Sequence, residues 1–108
     1  MIGFLTKWIL GLSSPSPDAS WRVLEELAVE LYSSGPDHDE LWTRAGGLAA
    51  DLQKNGTGRA RWHDALALIQ RGKDPRPGRL LDEMSRDFPN NEHLRRLKSA
   101  GLFHAGHR

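Results

Sequence analysis

A chain of 108 residues suits one domain, because dividing it would leave each half too small to bury an adequate core. The absence of cysteine excludes a disulfide framework and a thiolate zinc site, and it fits a reducing cytoplasm, the expected location. A 38% apolar and 27% charged composition is that of an ordinary globular domain, and a formal charge of +1 excludes a uniformly basic or acidic molecule.

Met1–Leu12 is an apolar arm in which Lys7 is the sole charge. It is shorter than the roughly 20 apolar residues that span a bilayer, and it lacks the basic start and small-residue cleavage site of a secretory signal. Phe4, Leu5, Trp8, Ile9 and Leu12 would share one stripe of a short helix, suited to packing on protein or to peripheral membrane contact. Ser13–Pro17 reads as a linker, so residues 1–20 form an arm and tether ahead of a domain at 21–101, with 102–108 as a flexible tail.

Within the domain, Trp21, Leu24, Leu27, Ala28 and Leu31 recur at helical spacing, with Asp18 or Ser20 as the expected N-cap. Asp37 and Glu40 have the spacing of a capping box before Leu41, Trp42 and Ala45, and Gly46-Gly47 closes that short helix. Leu48–Lys54 reads as another short helix. After the Gly56-Thr57-Gly58 turn, Trp62, Ala65, Leu66 and Ile69 form the clearest apolar face, ending at Gly72. A proline-containing loop leads to a helix with Leu80, Leu81, Met84 and Phe88 inward, which Pro89 ends. Asn90 or Asn91 should cap a last helix bearing Leu94 and Leu97, with Gly101 as its terminator. No segment alternates like a strand. The expectation is an all-α, compact bundle of about six short helices behind a short apolar N-terminal helix, with Leu27, Leu31, Trp42, Trp62, Leu66, Ile69, Leu81 and Leu94 in its core.

The residue pattern offers no chemistry. His38, His63, His93, His104 and His107 include no HxxxH or HExxH pair, and only His104 and His107, in the tail, lie close in sequence. Gly56-Thr57-Gly58 is too short for a phosphate loop, and no nucleophile has a base and acid near it in sequence. A non-enzymatic protein without metal or cofactor is expected.

Charge is unevenly distributed, and that asymmetry carries the functional reading. Between residues 21 and 55, Glu25, Glu26, Glu30, Asp37, Asp39, Glu40 and Asp51 face only Arg22, Arg44 and Lys54. Between 56 and 79, Arg59, Arg61, Arg71, Lys73, Arg76 and Arg79 face only Asp64 and Asp74. The basic stretch could neutralise phosphates, making a small helical nucleic-acid-binding regulator one alternative and a membrane-associated module another. A nucleic-acid reader is usually basic overall, so balanced halves fit a self-complementary protein surface better. The candidate partner-binding residues are Glu25, Glu26, Glu30, Asp37, Asp39 and Glu40 on one side, and Arg59, Arg71, Lys73, Arg76 and Arg79 on the other.

Several motifs resemble a known family, the type-one effector-associated domains of bacteria. Leu27–Tyr32 (LAVELY) is similar to its first helix, and Asp37–Arg44 followed by Ala45-Gly46 to its second helix and closing glycine. Gly58–Leu66 (GRARWHDAL) resembles its most characteristic segment, a small-residue turn followed by W-H-x-x-L. Gly78–Leu81, then Phe88–Leu94 (FPNNEHL), resemble its ending. The likeness covers about Trp21 to Lys98, while the prolines between Arg71 and Gly78 and the apolar arm depart from the pattern. It implies a death-like helical adaptor acting by homotypic binding in a bacterial conflict or antiviral defence system. The implied partner carries a similar domain, fused to or recruiting a protease, caspase-like enzyme, TIR domain or ATPase, and self-association is a further implication. Within W-H-x-x-L, Trp62 aligns with Leu66 and Ile69 as a core residue, whereas His63 points roughly 100° away, where local hydrogen bonding suits it better than acid–base work.

Overall fold

The computed structural model describes residues 17–100. The apolar arm, the linker as far as Ser16, Gly101 and the tail with His104 and His107 lie outside the described residues. Five α-helices and two 3-10 turns make up the described part, which is an all-α bundle.

Helix α1 runs from Pro17 to Leu31. Its start at Pro17 places Asp18 and Ser20 inside the helix, so neither is its N-cap. A proline is well suited to the first helical turn, where the amide it lacks would have no partner in any case. Val23, Leu24, Leu27 and Ala28 are buried, together with Ser20, while Trp21 and Leu31 are half-buried at the edge of the core. The buried face is turned toward Val23 because α1 is covered on two sides, and Leu31 therefore rims the core instead of filling it.

A 3-10 turn at His38–Glu40 leads directly into α2, Leu41–Arg44. The capping box does not form: Asp37 makes no side-chain cap, and both Asp39 (φ 53°) and Glu40 (φ 59°) adopt the left-handed conformation. The Asp37 carboxylate is drawn away to Arg61. Gly46, at φ 108°, ends α2 in a conformation that a side chain would strain.

The segment Leu48–Lys54 forms one 3-10 turn, Ala49–Asp51, between extended residues Leu48 and Leu52. The extended backbone at Leu52 turns its side chain into the core and leaves Leu48 outside.

Helix α3, Gly58–Gln70, is capped by Thr57, whose Oγ1 accepts the Ala60 amide at 3.1 Å. Trp62, Ala65, Leu66 and Ile69 are its buried face. Helix α4, Pro77–Asp87, also opens with a proline and buries Leu80, Leu81 and Met84, with Phe88 half-buried at its end. Asn91 caps α5, Glu92–Ala100, its Oδ1 accepting the Leu94 amide at 3.0 Å, and Leu94 and Leu97 face inward.

Helix α1 packs on α3 and α5, while α4 packs on α5 and α2. Successive contacts along α1 meet earlier positions of α3: Glu25 reaches His63, Tyr32 meets Trp62, and Ser33 lies against Gly58. The two helices are antiparallel. At Ser33 the approach is so close that a methyl group on Gly58 would overlap the carbonyl oxygen.

Candidate interaction surface

Tyr32 joins three parts of the bundle. Its carbonyl accepts the buried Trp62 Nε1–H at 2.9 Å, and its hydroxyl donates to Asp87 Oδ2 at 2.6 Å. The ring meets Phe88 and His38 edge-on, with centroids 5.6 and 5.7 Å away. Burial, reinforced by the neighbouring Asp87 carboxylate, holds the phenol well above its usual range, so it stays a proton donor. Arg44 of α2 then clamps the end of α4: Nη2 lies 2.7 Å from Asp87 Oδ2, and Nη1 lies 2.9 Å from Glu83 Oε1. The Arg44 guanidinium, helped by the Tyr32 hydroxyl, keeps the Asp87 carboxyl below the ordinary carboxylate range against an opposing effect of burial.

Arg61 makes a second clamp. Its Nε donates to the Gln53 carbonyl at 2.9 Å, its Nη1 to the Ser34 carbonyl at 2.8 Å, and its Nη2 lies 3.0 Å from Asp37 Oδ2. The side chain is only 11% exposed and rests on Gly35, where a Cβ would stand 2.7 Å from Nη1. Asp37 titrates below its ordinary range because of this guanidinium. A residue counted in the sequence as one surface cation thus fastens two loops to α3.

The contrast between an acidic front and a basic stretch is partly consumed within the molecule. Arg59 forms a two-pronged pair with Glu26 at 3.0 and 3.2 Å and stands 4.0 Å from Glu25, which also meets His63 Nδ1 at 3.2 Å. Lys73 lies 3.6 Å from Asp51. Of the eleven candidate partner-binding residues, Glu25, Glu26, Asp37, Arg59 and Lys73 therefore face an opposite charge on their own chain. Among the described residues, Glu30, Glu40, Arg71, Arg76 and Arg79 are exposed and make no ion pair, and Asp39 meets only His38 at 3.8 Å.

The candidate core residues Leu27, Trp42, Trp62, Leu66, Ile69, Leu81 and Leu94 are buried, with Leu31 half-buried. Tyr32, Arg44, Arg61, Glu83 and Asp87 were not singled out from sequence, since no spacing relates positions so far apart. Beside α3, an open groove of about 450 Å³ has Leu52, Ala65 and Leu68 on its floor and Asp51, Asp64 and Arg71 among its lining groups. No group of three or more side chains among the described residues could hold a metal ion, and no described helix is long and apolar enough to cross a membrane.

These features define an all-α bundle whose helices are fastened at the surface by arginine–carboxylate pairs. The family model described as effector-associated domain 1 matches residues 15–101, and the chain belongs to that family. No curated protein and no solved structure matches it.

Proposed function

We propose that this chain is a non-enzymatic adaptor that binds a protein carrying a similar domain, in the cytoplasm, within a bacterial conflict or antiviral defence system. Membership of the effector-associated domain family is the observation that carries this reading. The partner would be fused to, or would recruit, an effector such as a protease, caspase-like enzyme, TIR domain or ATPase. Exposed charges without internal partners support binding through electrostatic complementarity, which governs encounter rate and partner choice more than raw affinity. Arg59, already held by Glu26, is a poorer contact residue in this reading than Arg71 or Arg79.

Co-purification with an effector bearing a similar domain tests the proposal. The wild-type chain should capture it, and Arg71→Glu/Arg79→Glu should lose capture by about tenfold or more while keeping its helical circular dichroism. Undiminished capture by the folded double variant at physiological salt would rule out binding through these charges.

A further inference from the structure

Four of the exposed charges that lack a close ion pair lie at opposite ends of α4: Asp39 and Glu40 at one, Arg76 and Arg79 at the other. At its C-terminal end, Arg44 grips Glu83 and Asp87, and its Nε also donates to the Asp39 carbonyl at 3.1 Å. That contact sets the Asp39–Glu40 turn beside the last turn of α4. Asp39 is 74% exposed, and Glu40 is exposed with no cation against it among the described residues. At the N-terminal end, Arg76 is the N-cap residue and Arg79 belongs to the first turn, where the guanidinium lies beside Gly46. Asp74, two residues before Arg76, is exposed, and Asp82, three residues after Arg79, is engaged by Lys98. Arg79 and Asp87 are eight positions apart, a rise of about 12 Å along an α-helix.

This arrangement opposes the helix dipole. A helix N-terminus carries partial positive charge and favours acids, yet α4 has no acid in its first turn and has Arg76 and Arg79 there. The isolated molecule thus holds two cations where its own backbone repels them. Carboxylates supplied from outside would relieve that repulsion, and the exposed pair at the other end of a second molecule has the required charge.

We infer that copies of this chain associate head to tail along α4, the Arg76–Arg79 end of one copy receiving the Asp39–Glu40 turn of the next. The inference rests on the homotypic reading above and gives it polarity and a contact. Because the two surfaces differ, each added copy leaves one of each exposed, and the contact can propagate into a ring or filament instead of stopping at a two-fold dimer.

Two full-chain variants separate the ends. Asp39→Asn/Glu40→Gln neutralises the acidic end, and asparagine tolerates the left-handed backbone at position 39. Arg76→Glu/Arg79→Glu reverses the basic end and should raise the melting temperature, since it places acids at the helix N-terminus. In sedimentation velocity at low salt, the wild-type chain should form a concentration-dependent series of oligomers. Each variant alone should associate about tenfold more weakly or not at all, and an equimolar mixture should give dimers and nothing larger. If the wild-type chain associates and both variants do so equally well, or if the mixture gives no dimer, the inference is overturned while homotypic binding stands. A wild-type chain that remains monomeric overturns this inference, while capture of an effector bearing a similar domain decides the homotypic reading separately. If that monomer binds a labelled DNA duplex that the Arg76→Glu/Arg79→Glu variant does not, the basic end belongs to nucleic acid.

Discussion

Gly58 shows how a single position can be fixed by backbone proximity. Its φ is not left-handed, so the constraint is not conformational. The Ser33 carbonyl occupies the space a β-carbon would need, and that oxygen is main chain, which cannot swing aside. Gly58→Ala must push α3 away from the end of α1, loosening the neighbouring hydrogen bond from Trp62 Nε1 to the Tyr32 carbonyl. Overpacking of this kind costs about 1–3 kcal/mol. The melting temperature, read by circular dichroism, should fall by roughly 5 °C or more, as expected for a domain of this size. An unchanged melting temperature would mean that the two helices can separate without loss. The left-handed Asp39 and Glu40 are the opposite case: their backbone is strained, yet their side chains face solvent and can be changed without disturbing the core.

At the scale of elements, helix termini carry much of the definition. Thr57 and Asn91 each satisfy an amide that would otherwise lack a partner. Thr57→Ala and Asn91→Ala should each cost about 1 kcal/mol, and the two losses should add because the caps serve different helices. Urea denaturation of the single and double variants checks both the size and the additivity. A cap at Asn90 or Asn91 was legible in the sequence because the pair follows a helix-ending proline and precedes a periodic apolar run, and the hydrogen bond to the Leu94 amide selects Asn91. The false capping box was not distinguishable in that way. Asp37 and Glu40 have acceptable spacing, but Asp37 has a stronger use 24 positions away at Arg61, and tertiary pairing overrides the local motif. Leu48–Lys54 misled for a related reason: its composition permits a helix, but tertiary packing draws Leu52 into the core on extended backbone. The all-α fold and the core faces of α3, α4 and α5 were readable from periodicity alone. The surface was not, because a linear charge count cannot show that Arg59 and Glu26 cancel each other.

Over the whole molecule, the carboxylates held by arginines set the acid response. Asp87 beside Arg44, Asp37 beside Arg61 and Glu26 beside Arg59 all titrate below their ordinary ranges when folded. Each binds its proton more readily in the unfolded chain, so unfolding takes up protons in acid. Their stabilising effect is complete above the unfolded values of about 3.9 for Asp and 4.3 for Glu, and it is lost as pH falls through the lower folded values. The melting temperature should be nearly level from neutrality to about pH 5 as far as these groups are concerned, then decline. Asp87→Asn should lower it at neutral pH and flatten the decline; an acid limb as steep as that of the wild type would show that Asp87 contributes little to it. High salt should weaken the proposed head-to-tail contact as well, by screening.

Tyr32 also bears on how the bundle comes apart. Its carbonyl and hydroxyl bind residues 30 and 55 positions along the chain, on α3 and at the end of α4, while its backbone continues from α1. Releasing α3 alone leaves the Trp62 indole N–H without its acceptor, and releasing α4 alone strips the buried phenol of Asp87. No one of the three helices can open and leave the other two satisfied. Partial melting therefore forfeits a buried hydrogen bond without yet gaining the full freedom of the unfolded chain, and the bundle is built to unfold as one cooperative unit.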